Sequence, residues 1–109
     1  RFMRQYIYTL RLIPKFWDMT KWTEAESQIV NEHFVRLQEM QKTGSLILAG
    51  KTDREDEQGF GVVIFKAKSD AEAEEIMQND PCVKKEIMTA ILNKYLVALI
   101  SENNIQNEL

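Results

Sequence analysis

The sequence contains one histidine, His33, in the middle of the stretch SQIVNEHFVRLQEM at residues 27–40. On a helical wheel, His33 shares an apolar arc with four hydrophobic neighbours, Ile29, Val30, Leu37 and Met40. Histidine is the most common general base near neutral pH, so this position is a candidate for catalysis. A histidine on an apolar helix face also packs as a neutral ring bonded to a carbonyl oxygen. The residue type alone leaves both interpretations open.

Asp80 stands directly before Pro81 in the segment NDPCV. An aspartate at this place suits the N-cap of a helix, because its carboxylate accepts a hydrogen bond from a backbone N–H. Proline is favoured at the first helical position, where its missing N–H costs nothing. The pair therefore predicts a structural capping role, and a chemical role for the carboxylate needs further evidence.

Three other side chains are candidates for binding a substrate, namely Lys51, Arg11 and Trp17. Lys51 follows Gly50, which would allow a close approach of backbone to a ligand, and either cation would hold an anion. Charged residues at such positions usually face solvent. Trp17, like Trp22, either lines a pocket or fixes its loop in place. The sequence leaves these alternatives open.

No other motif for catalysis or metal binding competes with these residues. The GFG at residues 59–61 lies at a predicted strand rather than between a strand and a helix, so it does not form a phosphate loop. Cys82 is the only cysteine, which excludes an internal disulfide, and no His/Cys cluster has zinc-site spacing. We therefore expect no metal and no organic cofactor, with Cys82 as a small packing residue.

The composition is that of an ordinary folded protein. Of 109 residues, 44% are hydrophobic and 28% charged, and the length predicts one domain. No apolar run is long enough for a membrane span and no signal segment is recognised, so we expect a cytoplasmic protein. The net charge of −3 gives no general attraction to nucleic acid. Arg1 and Phe2 precede Met3, where we expect the natural start.

Four segments have the composition of β-strands, since they are rich in β-branched and aromatic residues and are bounded by turn residues. They span residues 5–13, 45–52, 60–67 and 89–100. The second and third strands flank the polar turn REDEQG at residues 54–59. This arrangement predicts a hairpin.

Two long helices are predicted from capping-box pairs, in which a hydroxyl and a carboxylate each satisfy a backbone amide. The pairs are Thr23 with Glu26 and Ser69 with Glu72. The first helix is expected to run to Gly44, a natural residue for a left-handed cap, and the second to residue 79. A short third helix is predicted from Pro81 to residue 87.

The order of elements is therefore β-α-β-β-α-β, which is typical of the α+β ferredoxin-like fold. This fold has an antiparallel sheet with both helices on one face. We expect a single domain over residues 3–100 and a polar tail at residues 101–109.

Both faces of the third strand are apolar. Phe60, Val62 and Ile64 alternate with Val63 and Phe65. Two helices cover only one face of a sheet, so the other face needs a further cover. The simplest cover is a second copy of the same sheet, which predicts a two-fold homodimer.

The stretch QGFGVVIF at residues 58–65 is similar to the signature of RNA-recognition domains, which share this order of elements. In that interpretation Tyr8 is the second aromatic residue that stacks on a base. However, Gln58 replaces the basic residue of the signature, Val62 replaces a stacking aromatic residue, and the chain is acidic. We therefore expect no nucleic-acid partner, with Tyr8 and Phe60 packing within the sheet.

Several motifs together resemble the YCII-related family. They are a histidine on the first helix, His33; GSLILAG at residues 44–50; FG at residues 60–61, where the third strand starts; SDAEAEEIM at residues 69–77; and NDPCV at residues 79–83. Their order is fairly specific, and the resemblance covers residues 5–100. It implies a ferredoxin-like unit whose sheets pair into a dimeric α+β barrel, in agreement with the two apolar faces.

The resemblance also implies an active site formed by the family's helix-one histidine and its DP aspartate, which match His33 and Asp80. A carboxylate within hydrogen-bond reach of one ring nitrogen would fix the tautomer of His33 and leave the other nitrogen for a substrate. Many members have proline after AG and an aromatic residue after DP, where this chain has Lys51 and Cys82. These departures affect the choice of ligand more than they affect the pair of His33 and Asp80.

We therefore expect a cofactor-independent lyase or isomerase, with His33 as general acid and base and Asp80 orienting it. Relatives in the wider barrel superfamily include muconolactone-isomerase-like enzymes, so the expected ligand is a small cyclic or aromatic acid, its anion held by Lys51 or Arg11. Fold analogy alone does not establish an activity. The alternative is a non-catalytic homodimeric binding or accessory module, in which His33 and Asp80 form a structural hydrogen bond.

Overall fold

Four strands form one antiparallel sheet in this computed structural model, which describes residues 3–101. They are β1 (Arg4–Leu12), β2 (Leu46–Lys51), β3 (Gly61–Ala67) and β4 (Met88–Lys94), in the order β2-β3-β1-β4 across the sheet. Three helices complete the fold, namely α1 (Glu24–Thr43), α2 (Asp70–Gln78) and α3 (Pro81–Lys84). The predicted α+β class is confirmed, and the sheet order is compatible with the ferredoxin-like fold.

Helix α1 begins and ends where its capping residues predict. Thr23 Oγ1 accepts a hydrogen bond from the Ala25 N–H at 3.2 Å, and the Glu26 carboxylate accepts one from the Thr23 N–H at 2.7 Å. The capping box is therefore complete. Gly44 ends the helix with a φ of 86°, a left-handed conformation that glycine adopts without steric cost. Both ends of the helix that carries His33 are thus fixed.

Helix α2 has only half of the predicted capping box. Ser69 Oγ accepts a hydrogen bond from the Glu72 N–H at 3.1 Å, as expected. The Glu72 carboxylate, however, accepts from the Lys68 N–H at 2.6 Å instead of from the Ser69 N–H. It still satisfies a backbone amide next to the helix start, so the physical role of the pair is kept.

Helix α3 is a single turn that ends at Lys84, before the predicted end at residue 87. Asp80 caps it by accepting a hydrogen bond from the Cys82 N–H at 2.9 Å. Glu86 then has a φ of 63°, which turns the chain out of the helix and into β4.

Both long helices pack on one face of the sheet. Leu37 of α1 and Ala73 and Met77 of α2 are buried there against alternate residues of the two central strands, Tyr6, Tyr8, Leu10, Val63, Phe65 and Ala67. Tyr8 is fully buried on this face. It is therefore unavailable for stacking on a base, as the RNA-binding alternative required.

The opposite face of the sheet, here called the outer face, carries Ile7, Leu48, Val62, Ile64 and Ile91. Ile7 of β1 lies opposite Ile64 of β3. Val62 of β3 and Ile91 of β4 both lie opposite Thr9 of β1, one on each side. Ile91 is 65% exposed and Leu48 is 49% exposed. An apolar and partly exposed sheet face is unusual in an isolated domain.

The fourth strand is shorter than predicted, since β4 ends at Lys94 and not at Ile100. Its partner is β1, and Lys94 already lies opposite Tyr6, near the start of that strand. The Tyr95 N–H still donates to Gln5 O at 3.0 Å. The apolar sequence after Lys94 favours a strand, but its partner strand ends first.

The segment between β1 and α1 forms two short 3-10 turns, Pro14–Trp17 and Met19–Lys21. The Trp22 Nε1–H donates to Phe16 O at 3.0 Å, and the two rings lie 5.5 Å apart. Trp22 therefore fixes this loop, one of the two roles that the sequence left open.

Within residues 3–101, no helix combines the length and the apolar character that a membrane crossing requires. Of the predicted polar tail, residues 102–109 lie outside the part of the chain that the structure describes. The tail therefore stays a prediction.

Candidate active site

His33 and Asp80 are in direct contact where α1 meets the start of α3. The ring nitrogen Nδ1 of His33 lies 2.8 Å from Asp80 Oδ2 and 2.9 Å from Oδ1. As the N-cap of α3, Asp80 has a side chain that turns back toward the start of that helix, and α1 presents His33 to the same place. One carboxylate thus caps a helix and holds the imidazole.

Asp80 is fully buried, and its carboxylate is surrounded by donors. The Tyr8 hydroxyl on β1 donates to Oδ2 at 2.6 Å, and the Cys82 N–H donates to Oδ1. A buried charge is costly unless it is hydrogen-bonded and paired. Donors from three separate elements meet this requirement and fix the orientation of the carboxylate toward His33.

The pKa of the Asp80 carboxyl is held below its usual range. Burial alone would raise this pKa, but the hydrogen bond and charge of His33, followed by the hydrogen bonds from Tyr8 and Cys82, outweigh burial. The pKa of Tyr8 is raised, first by burial and then by the charge and hydrogen bond of Asp80. At neutral pH, Asp80 is therefore ionised and Tyr8 is a neutral donor.

The hydrogen bonds also define which tautomer the neutral His33 ring adopts. An ionised carboxylate only accepts hydrogen bonds, so the proton of the neutral ring lies on Nδ1. The lone pair is then on Nε2. The side chain is 15% exposed and lines a cavity, so a bound molecule can reach it. Nε2 can accept a proton there, while Asp80 stabilises the imidazolium that forms.

The cavity has a volume of about 240 Å³ and lies between α1 and the hairpin of β2 and β3. Its wall is mainly apolar and includes Leu10, Leu12, Trp22, Val30, Leu37, Val63 and Met88. Phe34 and Phe60 also line it and are partly exposed, which places them at its mouth. An apolar cleft with few polar groups is typical of a small-molecule site.

The three predicted substrate-binding residues are placed differently. Lys51 lines the cavity, and its Nζ lies 2.8 Å from Glu55 Oε2. Arg11 lies outside the lining, where its Nη1 donates to Gly59 O at 3.3 Å and its guanidinium stacks on the Phe60 ring. Trp17 is also outside the lining and is 38% exposed. Only Lys51 is therefore brought to the cavity that His33 lines.

The hairpin adds a second cation that sequence reasoning missed. Arg54 lines the cavity and makes a two-point ion pair with Asp56, at 2.7 Å from Nε and 2.6 Å from Nη2. The segment REDEQG predicted only a polar turn. The alternation of opposite charges within it was the available signal, since neighbouring opposite charges in a turn readily pair.

The YCII-related domain is matched over residues 8–93 of the sequence, which is most of the chain. The chain belongs to the YCII-related family. The matched range contains Tyr8, His33 and Asp80, so the YCII-related domain includes the contacts described above. A comparison of this chain with curated proteins found no match.

Tyr8 belongs to the site but was not predicted there, and the charge of Arg36 acts on Tyr8. Tyr8 was expected only to pack, although a tyrosine on the buried face of a strand needs a partner for its hydroxyl. Arg36, one turn after His33, donates from Nη2 to Ile76 O at 2.8 Å. Its Nη1 is buried without a hydrogen-bond partner among the described residues, and its charge acts on Tyr8.

Among the described residues of the YCII-related domain, one group has potential metal-ligand atoms within 4.8 Å of one another: His33, Asp80 and Cys82. The Nδ1 of His33 is already hydrogen-bonded to the Asp80 carboxylate. Burial, followed by the charge of Asp80, raises the pKa of the Cys82 thiol to about 12, which disfavours the thiolate that a metal binds. This donor set fits a hydrogen-bonded cluster better than a metal centre.

Proposed function

We propose that this YCII-related domain is a lyase or isomerase that moves a proton on a small cyclic or aromatic molecule, without a metal or an organic cofactor. The observation that carries the proposal is the contact of His33 Nδ1 with buried Asp80, beside an apolar cavity. A hydrogen-bonded pair of titratable groups in a cleft is typical of an acid-base site.

In the proposed reaction, Nε2 of His33 takes a proton from the substrate. In a lyase, the electron pair left on the substrate forms a new double bond and expels a leaving group from the neighbouring atom, and the leaving group takes the proton from the imidazolium. In an isomerase, the pair shifts along the substrate and a second atom takes the proton back from the imidazolium. Asp80 stays ionised throughout and stabilises the imidazolium through Nδ1.

The residues around the pair have distinct proposed roles. Tyr8 keeps the Asp80 carboxylate oriented through its hydroxyl. Lys51 lines the cavity, where its Nζ is paired with Glu55, and it is the proposed contact for a polar group of the substrate. Arg11 and Trp17 are given no direct contact with the ligand, because both lie outside the lining.

A second candidate function is a non-catalytic module that binds a ligand or assists another protein. It is supported by the hydrogen bond from the Cys82 N–H to Asp80, which gives the carboxylate a structural reason to be present. In this case the contact of His33 with Asp80 would serve to join α1 to α3.

Both candidates include a homodimer in which two chains pair their outer faces into an α+β barrel. The support is the apolar outer face, where Ile91 and Leu48 are about half exposed or more. Pairing two such faces would remove this apolar surface from water.

The test of the acid-base proposal is an NMR titration of the single histidine in the wild type and in Asp80→Asn, without ligand. Asparagine still caps α3 but lacks the negative charge, so the titration midpoint of His33 is expected at lower pH in the variant. Nitrogen shifts should place the proton of the neutral wild-type ring on Nδ1.

The matched control is Asp70→Asn, which removes a carboxylate that is bonded to Tyr6 and not to His33. This variant is expected to leave the titration of His33 unchanged. An unchanged midpoint in Asp80→Asn as well would contradict the acid-base pair and favour the binding module.

A further inference from the structure

We infer that the cavity takes an uncharged ring that carries a hydroxyl group, and not the anion of an acid. The inference rests on the proposed acid-base role of His33 and narrows its substrate class. Three features of the cavity carry it: the balance of charge at its rim, the donor-acceptor character of its histidine, and its size.

The four charged side chains of the hairpin that line the cavity carry no net charge. Lys51 is paired with Glu55 at 2.8 Å, and Arg54 is paired with Asp56 at two points. All four side chains line the cavity and come from the hairpin. Such exposed pairs contribute little to stability, but each carboxylate cancels the attraction that its cation would exert on an anion. An incoming carboxylate would have to displace one of them.

The inner end of the cavity disfavours an anion directly. With Nδ1 donating to Asp80, the neutral ring of His33 offers only a lone pair at Nε2. A hydroxyl group donates to this lone pair, whereas a carboxylate has no proton to donate. The buried negative charge of Asp80 lies directly behind the ring, where the low dielectric strengthens its repulsion of a second anion.

The size and lining of the cavity suit a single substituted ring. An apolar cavity of about 150 Å³ is large enough to hold benzene. The cavity here is about 240 Å³, with Phe34, Trp22 and Phe60 among its lining residues. The extra volume accommodates ring substituents, and the aromatic side chains offer faces and edges for stacking. A hydroxylated ring thus meets the shape, the charge and the hydrogen-bond requirement together.

The test compares two probes of nearly equal shape, para-cresol and para-toluate, at neutral pH. Binding is measured by NMR from the ring signals of His33 and the amide signals of Gly50 and Gly61, which line the cavity. We expect para-cresol to bind about tenfold more tightly than para-toluate. We also expect para-cresol to shift the His33 ring signals.

A pair of variants tests the charge argument. Glu55→Gln frees Lys51, so the affinity for para-toluate should rise while that for para-cresol stays unchanged. The matched control is Glu39→Gln, which breaks a similar exposed pair with Lys42 on α1, outside the cavity lining. This control should change neither affinity.

Two results would overturn the inference: para-toluate binding as tightly as para-cresol, or neither probe binding in the cavity. An affinity for para-toluate that does not respond to Glu55→Gln would overturn the assignment of selectivity to the rim. The acid-base proposal is tested separately by the ligand-free titration of Asp80→Asn. Failure of the ligand class and failure of the acid-base pair are therefore distinguishable.

Discussion

A tyrosine hydroxyl and a histidine ring share one buried carboxylate in this protein. Asp80 Oδ2 accepts a hydrogen bond from Tyr8 at 2.6 Å and lies 2.8 Å from His33 Nδ1. Because the carboxylate is removed from water, each bond acts in a medium of low effective dielectric. The loss of one donor should therefore change both the stability of the fold and its dependence on pH.

Tyr8→Phe removes the hydroxyl and keeps the ring. We expect the free energy of unfolding at neutral pH to fall by about 2 kcal/mol, the usual value for a hydrogen bond to a charged group. The pKa of Asp80 is lowered in the fold, so its bonds stabilise the protein above about pH 4 and are lost as the pH falls through the lowered pKa. The difference between wild type and variant, measured by urea denaturation, should shrink in acid.

Tyr6→Phe is the matched control for this measurement. Tyr6 lies on the same strand and donates to Asp70 Oδ1 at 2.7 Å, but that carboxylate is exposed. Water replaces the lost bond there, so a smaller change in stability is expected. Equal losses in the two variants would show that burial does not strengthen the bond to Asp80.

At the residue scale, local sequence predicted only part of what Asp80 does. Its capping of α3 was predictable because Pro81 and Cys82 are its neighbours in the chain. The contact with His33 was expected only from the resemblance to the YCII-related family. The bond from Tyr8 was missed because that residue is 72 positions away, and no local pattern relates the two.

Among the elements, the hairpin of β2 and β3 shapes the rim of the cavity, and its turn depends on a glycine. A Cβ at Gly59 would lie 2.5 Å from Arg54 O, well inside normal contact. The turn is closed by the Thr52 N–H, which donates to Phe60 O at 2.8 Å, and by the Gly59 N–H, which donates to Asp56 O. The glycine therefore keeps the charged rim residues in position.

Gly59→Ala should destabilise the fold by about 1–3 kcal/mol, as expected when a group is forced into filled space. The amide signals of Thr52 and Phe60 should shift, because the turn must open to admit the methyl group. Urea denaturation and NMR measure these two effects.

Gly50→Ala is the matched control, since a Cβ at Gly50 meets no atom of the described residues within 4 Å. The sequence suggested a close approach of the backbone to a ligand at this glycine, and that expectation stays a prediction. We expect the stability of this variant to equal or slightly exceed that of the wild type. A loss as large as that of Gly59→Ala would contradict the steric explanation.

The elements themselves were largely predictable, because their signals are local. The capping box at Thr23 and Glu26 and the glycine at Gly44 placed both ends of α1 correctly. The end of β4 was misplaced because it depends on where β1 stops offering hydrogen-bond partners, six residues before the predicted end. The cavity was not predictable either, since it arises from the separation of α1 and the hairpin.

At the scale of the whole molecule, helices cover one face of the sheet and leave the other face partly exposed. One face is buried by α1 and α2, whereas the outer face exposes large apolar side chains such as Ile91. The alternation of Val62 and Val63 with their neighbours predicted two apolar faces, and the structure agrees with this. The order of elements along the chain also predicted an antiparallel sheet with both long helices on one face, whereas the partner chain stays a prediction.

We expect the wild type to sediment as a dimer at micromolar concentration. Ile91→Lys places a charge on the outer face and should shift the protein toward the monomer, because a buried unpaired charge is costly. Val35→Lys is the control, since Val35 is a similarly exposed apolar residue on α1 and not on the sheet. Analytical ultracentrifugation distinguishes the two species. A monomeric wild type would contradict the proposed pairing.

The position of Asp80 in the chain also has a consequence for folding kinetics. Its carboxylate bonds to side chains 47 and 72 residues away, so two long loops must close before the bonds to His33 and Tyr8 exist. Contacts of such high sequence separation form late, after local helices and hairpins. The imidazole can therefore acquire its native tautomer only after α1 and the segment that carries Asp80 have come together.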